Sequence, residues 1–142
     1  MKLKIKKLSG LAVTPTYATA GSACFDLYAA HDGVIWPGKA VTFATDLAFE
    51  VPEGWVLKLY SRSGHGFKYG LRLANTTGII DSDYRGHVPV RLHNDSKNAV
   101  QIHTGDRVAQ GMLERVEQVE FEVVDQLSNT ARGEGGFGST GK

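Results

Sequence analysis

Short segments in which apolar and polar residues alternate recur along this chain, and they constrain its fold more than any other feature. Alternation places the apolar side chains on one face of an extended strand, so each segment is typical of a β-strand with one buried face. Trp55, Leu57 and Leu59 illustrate the pattern, with Lys58 on the opposite face. The segments predicted to form strands are 3–5, 33–35, 41–43, 55–60, 88–92 and 119–123.

Turn-forming residues separate these segments, and they combine the residue types that reverse the direction of a chain. They are Asp32-Gly33, Pro37-Gly38, Pro52-Glu53-Gly54, Arg85-Gly86 and Thr104-Gly105-Asp106. Many short strands joined by many turns predict an all-β sandwich or jelly roll. Glycines interrupt 64–71, the one stretch where a helix of a turn or two could form, so little helix is expected.

The composition limits the classes of protein to which the chain can belong. Its 142 residues suffice for one globular domain, assigned to 1–131, and its formal net charge is +1. A nearly neutral surface lacks the field that gathers nucleic acid or anionic membranes, so neither is an expected partner. The basic N-terminus lacks the apolar core of a secretory signal, and no apolar run approaches membrane-spanning length. A cytoplasmic protein is expected, in the interior of a host cell if a virus encodes the chain.

Cysteine and histidine give no sign of a metal centre. Cys24 is the single cysteine, so an intramolecular disulfide is excluded, and its apolar neighbours Ala23 and Phe25 predict a small core residue. The histidines have no metal-ligand spacing, and none is assigned a catalytic role.

The C-terminal segment 132–142 differs from the rest of the chain because almost half of it is glycine. Such a composition is typical of a mobile terminus. However, glycine amides, the hydroxyls of Ser139 and Thr140 and the guanidinium of Arg132 are also groups that bind phosphate. Phe137 could stack on a nucleobase. The segment is therefore predicted to be a mobile tail that closes as a lid over a ligand.

A second group of phosphate-binding residue types follows the predicted strand that ends at Tyr60. In Ser61-Arg62-Ser63-Gly64, the glycine can open the backbone while Arg62 and Ser63 face an anion. Taken alone, the segment is slightly more typical of an ordinary polar loop, because it has neither the Walker A nor the dinucleotide glycine spacing.

Three aspartates stand next to apolar residues. Asp81 follows Ile79-Ile80 and could be a general base that orients water. Asp83, two residues later, fits the acidic turn of a hairpin. Asp26 stands among apolar neighbours, where an unpaired charge would be costly, so a partner such as a hydrated cation is expected.

Taken in order, five segments resemble the five motifs of the trimeric dUTPase (deoxyuridine 5′-triphosphate nucleotidohydrolase) family. They are 18–30 around Asp26, 61–64, 75–86, 105–110 and 132–141. The resemblance implies a homotrimer of distorted jelly rolls, β-clip-like in type, with a flexible glycine-rich tail. Each pocket would take the first, second and fourth motifs from one subunit, the third from another and the tail from the last.

The same resemblance implies a reaction and a role for each site residue. The enzyme would hydrolyse dUTP to dUMP and pyrophosphate with Mg²⁺, keeping uracil out of DNA and supplying dUMP for dTMP synthesis. Asp81 would activate the water that attacks the α-phosphorus, Gln110 would hold that water or the α-phosphate, and Asp26 would contact Mg²⁺ through water. The implied phosphate-binding residues are Arg62, Ser63, Gly64, Arg132, Gly138, Ser139 and Thr140. The implied uracil and deoxyribose residues are Asn75, Gly78, Ile80, Asp81, Tyr84 and Phe137.

Within the implied nucleoside site, Phe137 would stack on the base. The backbone around Gly78 and Ile80, in a hairpin, would read uracil, with a side-chain contact from Asn75. Tyr84 would lie beneath the sugar and leave no room for a 2′-hydroxyl. A tight site of this kind can exclude the methyl group of thymine sterically and reject cytosine by its hydrogen-bonding edge.

Four positions depart from the family pattern. Cys24 stands in place of glycine, Ser61 in place of proline and His87 in place of an acidic residue, and Gly111 follows Gln110. None of these changes removes a group with an expected chemical role. Cys24 adds a side chain near the first motif's aspartate, where it is expected to affect the local backbone and metal affinity.

Three alternative functions are weighed against this interpretation. A dCTP deaminase of the same fold is disfavoured by Asp81, where a glutamate base would be expected, and by the complete tail. A regulatory protein that senses dUTP with little hydrolysis is disfavoured by the presence of both Asp81 and Gln110. A structural jelly-roll trimer, such as a capsid protein, would have no use for Arg132, Phe137 and the glycine tail.

Overall fold

The computed structural model of the chain describes residues 1–139 and Gly141, and nearly all regular structure in them is β-strand. The strands are β1 (Lys4–Lys7), β2 (Thr16–Tyr17), β3 (Phe25–Tyr28), β4 (Gly33–Ile35), β5 (Ala40–Phe43), β6 (Leu47–Glu50), β7 (Trp55–Tyr60), β8 (Leu71–Leu73), β9 (Thr77–Ile80), β10 (Val90–Asn94), β11 (Val100–Ile102) and β12 (Arg107–Arg115). Helix α1 (Ser63–Tyr69) lies between β7 and β8. Among these residues, no helix has the length and apolar character needed to cross a membrane.

The strands pair antiparallel in small sheets that enclose one apolar core. The largest sheet has the order β2-β3-β12-β7-β9, and the next has the order β5-β10-β8. Two strand pairs, β1-β6 and β11-β4, complete the described fold. Fully buried members of the core include Leu27, Phe43, Leu57, Leu92 and Val108. The all-β prediction is confirmed, and the arrangement is consistent with a distorted jelly roll.

Five of the six predicted strands form, namely those at β1, β4, β5, β7 and β10, with ends that differ by a few residues. In β7, Leu57 and Leu59 are buried and Lys58 is half-buried, as the alternation predicts. Val56, on the face of Lys58, is also buried. The alternation of apolar and polar residues therefore identified the face of β7 that packs in the core, although the opposite face is partly covered as well.

The strand predicted at 119–123 is wrong. The segment leaves the domain after β12 and pairs with no strand of the described chain. Val119, Phe121 and Val123 are 68%, 88% and 98% exposed. Alternation alone does not make a strand, because the backbone also needs a hydrogen-bonding partner and the apolar face needs a surface to cover it. The described residues of this chain supply neither to the segment.

The glycine-rich stretch after β7 forms helix α1, a short helix of the size that the sequence allowed. Its end is fixed by Gly70, which adopts a left-handed conformation with φ of 65° and donates its N–H to the Gly66 carbonyl. His65 is the buried residue of the helix. Tertiary packing and the glycine cap therefore offset the poor helix propensity of the glycines.

Gly111 is required by the packing of its neighbours across the largest sheet. It lies opposite Phe25 on β3 and Leu59 on β7. A Cβ atom at Gly111 would lie 2.9 Å from Cε2 of Phe25 and 3.1 Å from Cδ2 of Leu59, closer than packed carbon atoms approach. The glycine that follows Gln110 thus lets two core side chains meet over the central strand.

Replacing Gly111 with alanine should destabilise the protein, because the added methyl group must displace Phe25 or Leu59. Overpacking of a dense core costs about 1–3 kcal/mol, and a loss of that size is expected in denaturant-induced unfolding. Gly10→Ala is the matched control, since a Cβ atom at Gly10 would meet nothing within 4 Å. Equal stability of the two variants would contradict the packing assigned to Gly111.

Candidate active site

The central strand β12 brings Asp26 and Gln110 side by side. In the pairing register, Gln110 lies opposite Asp26 on β3 and Tyr60 on β7. Thr16 and Thr77 continue the same row onto the outer strands. Directly opposed residues of an antiparallel pair point to the same face of the sheet. The row therefore places a carboxylate and a carboxamide together on one surface, beside the loop that follows β7.

Asp26 is buried and forms ion pairs with two arginines. It is 9% exposed. Its Oδ1 accepts a hydrogen bond from Nε of Arg62 at 3.1 Å, and its Oδ2 accepts one from Nη1 of Arg107 at 3.4 Å. The sequence predicted that this buried charge needs a partner, and the chain supplies two arginines.

Arg107 was not among the residues predicted for the site. A β-bulge explains its position, because the register shifts between Arg107 and Ala109 and brings Arg107 opposite Tyr28. Tyr28 lies two residues from Asp26 on the same face of β3. The Arg107 carbonyl also accepts a hydrogen bond from Nη1 of Arg62 at 3.2 Å. Arg107 lies in the fourth motif-like segment, 105–110, and that position was the sequence signal that could have identified it as a site residue.

The side-chain amide of Gln110 is held in one orientation by the loop after β7. Its Nε2 donates to the Ser61 carbonyl at 2.8 Å, and only the nitrogen end of the amide can make that bond. The Ser61 hydroxyl in turn accepts the N–H of Leu73 at 2.8 Å. Ser61, where the family usually has proline, therefore ties Gln110 to β8 through its carbonyl and its hydroxyl.

These residues line one cavity of about 300 Å³, called here the Asp26 cavity. Its lining includes Asp26, Arg62, Ser63, Gly64, Arg107 and Gln110. The first two motif-like segments and the fourth are thus brought together, as the family resemblance implied. Ser63 and Gly64 are exposed at the start of α1, where they are accessible to a ligand.

Cys24 also lines the Asp26 cavity and is half-buried, so it is not the core residue that the sequence predicted. Partial burial, and then the negative charge of Asp26, raise the pKa of its thiol, which therefore remains protonated and is a poor nucleophile.

Two other titratable groups near the Asp26 cavity have shifted pKa values. The Tyr60 hydroxyl donates to Glu114 at 2.7 Å, and this hydrogen bond raises the pKa of the phenol. Burial lowers the pKa of His65, a residue of helix α1, which favours the neutral imidazole.

A second cavity, of about 650 Å³, is called here the Asp81 cavity. Its lining includes the predicted nucleoside residues Asn75, Gly78, Ile80, Asp81 and Tyr84. Apolar side chains, among them Leu59 and Leu73, cover much of its wall. The third motif-like segment is therefore gathered in one place, but the two cavities share no lining residue.

The strands around the Asp81 cavity do not form the hairpin expected for the third motif. β9 is the edge strand of the largest sheet and pairs with β7, whereas β8 and β10 pair with each other in a different sheet. The connection between β8 and β9 turns sharply at Thr76, which has φ of 61°. As a result, one edge of β9 has backbone N–H and C=O groups without a strand partner in the described chain.

Asp81 lies directly after β9, and in this single chain it is exposed. Its backbone carbonyl accepts the N–H of Tyr84 at 3.3 Å, which closes a turn containing Asp83. Asp83 thus lies in an acidic turn, as predicted. The Asp81 carboxylate takes part in no ion pair with the described residues, so it is available to a ligand or to another subunit.

The described residues of the glycine-rich tail line neither cavity. Arg132 donates from Nε to the Gly135 carbonyl at 2.7 Å, and the Ser139 N–H donates to the Gly136 carbonyl at 3.0 Å. Phe137 is fully exposed. Neither Arg132, Gly138 nor Ser139 lines the two cavities, and Thr140 lies outside the described residues. The predicted site residues therefore fall into three separate groups in one chain.

The sequence matches the family model described as dUTPase over residues 12–141. A deoxyuridine 5′-triphosphate nucleotidohydrolase from Nautilia profundicola is 48% identical over 142 residues, which cover 100% of both chains. The enzyme of that name from Anaplasma marginale is 46% identical, with 99% of each chain covered.

Solved structures of dUTPases have a fold similar to that of this chain. The dUTPase of Staphylococcus bacteriophage 80alpha with dUPNHPP has a TM-score of 0.91 and 30% identity, and 99% of each chain is covered. A D95N mutant dUTPase from phage phi11 of S. aureus, described with a structural Mg(II) ion, has a TM-score of 0.82 and 26% identity, covering 89% of this chain and 98% of that one. With the family model and the relatives over the whole length, these likenesses establish that the chain belongs to the dUTPase family of enzymes.

Proposed function

We propose that this chain hydrolyses dUTP to dUMP and pyrophosphate, with Asp81 as the base that activates the attacking water. The observation that carries the proposal is the Asp26 cavity, where a buried carboxylate, two arginines and an oriented carboxamide lie together. Such a set can bind a charged phosphate chain and position water beside it. We assign the activity to the cytoplasm, where it would keep uracil out of DNA and supply dUMP for dTMP synthesis.

Arg62 is the main phosphate ligand in this proposal. In the present structure its guanidinium is paired with Asp26. A triphosphate carries more negative charge than one carboxylate and accepts bidentate hydrogen bonds, so it competes effectively for Arg62. Ser63 and Gly64 add a hydroxyl and a backbone N–H next to it. From the tail, Arg132, Gly138, Ser139 and Thr140 would close over the γ-phosphate.

Asp26 fits a magnesium contact made through water. Among the described residues, no group of three or more His, Cys, Asp or Glu side chains could hold a metal ion. Mg²⁺ keeps several of its waters and is usually held by one or two carboxylates together with substrate phosphates. One buried carboxylate at a phosphate pocket meets that requirement. When bound, the ion would neutralise charge on the triphosphate during in-line attack.

Gln110 would position the water that Asp81 deprotonates. Because its Nε2 is held by the Ser61 carbonyl, its oxygen remains the end that can accept a hydrogen bond from water. The Asp81 carboxylate would accept the other proton of that water as the oxygen attacks the α-phosphorus. The two residues lie in different cavities of one chain, so they would meet only when two subunits come together.

A homotrimer would combine the three groups of site residues. The Asp26 cavity of one subunit would face the Asp81 cavity of a second, and the tail of a third would cover both. The separation of the cavities supports this arrangement. The exposed apolar side chains of Val119, Phe121 and Val123 also support it, because they lead to the tail and need a surface outside their own chain.

Uracil would be recognised at the free edge of β9. In the described part of the chain β9 pairs with β7 through one edge only, so N–H and C=O groups near Gly78 and Ile80 are available to the donor and acceptor edge of a pyrimidine. Asn75 would add a side-chain contact and Phe137 would stack on the ring. Tyr84 would lie against deoxyribose and exclude a 2′-hydroxyl. A backbone edge of fixed geometry would reject cytosine by hydrogen bonding and thymine by its methyl group.

Replacing Asp81 with asparagine should remove the base but keep the shape of the site. We expect kcat for dUTP to fall about 10²- to 10⁴-fold, the usual contribution of a general base, while the affinity for dUPNHPP changes little. Pyrophosphate release and calorimetric titration measure the two quantities. Asp83→Asn is the matched control, because that exposed carboxylate lies in the adjacent turn, and it should retain wild-type rates. Full activity in Asp81→Asn would exclude this residue as the base.

Deleting residues 132–142 should separate folding from activity. The described hydrogen bonds of the tail are made within 130–141, so its removal should leave the melting temperature and the trimer intact. Loss of the phosphate ligands and of the stacking ring should lower kcat/KM for dUTP by more than about tenfold. Light scattering, thermal unfolding and steady-state kinetics make the comparison. An undiminished rate would show that the tail has no catalytic part.

A further inference from the structure

The ring of Tyr84 lies directly against the backbone of Gly86. The Tyr84 hydroxyl donates to the His87 carbonyl at 2.9 Å, so the side chain folds back over the residues that follow it. A Cβ atom built at Gly86 would lie 2.5 Å from Cζ and 3.0 Å from Cε2 of the ring. Any side chain at position 86 therefore displaces the aromatic ring or the backbone beneath it.

Steric space, and not backbone conformation, is what requires glycine at this position. Gly38 and Gly54 have φ of 69° and 75°, which disfavour other residues, but a Cβ atom there would meet nothing within 4 Å. Gly86 is the opposite case, because its φ lies outside the left-handed region and the three heavy atoms nearest to an added Cβ atom all belong to the Tyr84 side chain. An alanine at position 86 would thus meet the Tyr84 ring first.

Burial in the core does not fix the Tyr84 ring. The residue is 45% exposed, so packing in the core does not determine the position of the ring. The acceptor of its hydroxyl, by contrast, is well anchored. His87 forms a bridge with Ala48, and its Nε2 accepts the N–H of Asp46 at 3.2 Å. The ring is thus held between a fixed carbonyl and a residue without a side chain.

We propose that Gly86 is a specificity-determining position that sets the preference for deoxyribose over ribose by positioning Tyr84. The inference rests on the proposed function, in which Tyr84 lies against the sugar at the wall of the Asp81 cavity. A side chain at position 86 displaces the Tyr84 ring and breaks the hydrogen bond from the Tyr84 hydroxyl to the His87 carbonyl. The space that excludes a 2′-hydroxyl then opens, while Asp81 and the phosphate ligands are unchanged.

The test compares dUTP and UTP in Gly86→Ala, in Gly10→Ala as the control and in the unaltered trimer. We expect Gly86→Ala to lower the ratio of kcat/KM for dUTP to that for UTP by about tenfold, the usual size of a steric specificity effect. The change should lie in KM, with kcat for dUTP within about threefold of the original, because the base is not touched. Gly10→Ala should leave the ratio unaltered. An unchanged ratio in Gly86→Ala would overturn the proposal.

A double-mutant cycle with Tyr84→Ala tests whether Gly86 acts through the ring. Once the ring is removed, Gly86→Ala has nothing to displace, so the double variant should match Tyr84→Ala within about twofold. An equal loss of discrimination in both backgrounds would contradict the mechanism. Should Gly86→Ala alone fail to fold, recovery of the fold in the double variant would support the same steric contact, and no recovery would refute it.

Binding separates failure of this inference from failure of the proposed hydrolysis. The affinities for the α,β-imido analogues of dUTP and UTP need no turnover, and their ratio should fall in Gly86→Ala by the same factor as the kinetic ratio. Selective binding of the dUTP analogue without pyrophosphate release from dUTP would refute the hydrolysis and still test Gly86. Hydrolysis of dUTP with an unchanged analogue ratio in Gly86→Ala would refute only the role of Gly86.

Discussion

The site depends on the register in which β12 pairs with β3 and β7. That register places Asp26, Gln110 and Tyr60 in one row and Phe25, Gly111 and Leu59 in the next, with the first row on the polar face and the second in the core. A slip of one residue would turn the carboxylate towards the core and the apolar side chains outwards, at a cost that no local contact could offset. The glycine in the apolar row makes the register possible. The β-bulge at the start of β12 then turns Arg107 onto the polar face, where it reaches Asp26.

A second constraint is that one chain divides its functional residues among separate places. The Asp26 cavity is charged and the Asp81 cavity is largely apolar, so each suits one half of a nucleotide. The described part of the tail, with Arg132 and the exposed Phe137, lines neither cavity. In the proposed trimer, assembly brings the base to the phosphate chain, and the cost of ordering the tail falls at the moment when substrate binds. Hydrolysis would then be confined to a nucleotide that engages all three groups.

Much of the fold and the membership of the site followed from the sequence, for reasons that can be stated residue by residue. The alternation of apolar and polar residues located β7 and its buried face, because a strand with one buried face has apolar residues at every second position, here Leu57 and Leu59. Motif order identified Asp26, Arg62 and Gln110, which the structure brings together. Long-range geometry was not accessible in this way. The ion pair of Asp26 with Arg107 depends on a bulge, the edge position of β9 depends on sheet order, and the absence of a strand at 119–123 depends on what the rest of the chain offers as a partner.

The most direct test of the central claim is pyrophosphate release from dUTP, dCTP, dTTP and UTP in parallel, each with Mg²⁺ and with excess chelator. The free edge of β9, the wall formed by Tyr84 and the single carboxylate of Asp26 together predict release from dUTP alone, and only when the metal is present. Release from dCTP or UTP at a comparable rate would contradict the nucleoside site described above. No release from any of the four would contradict the proposed hydrolysis itself.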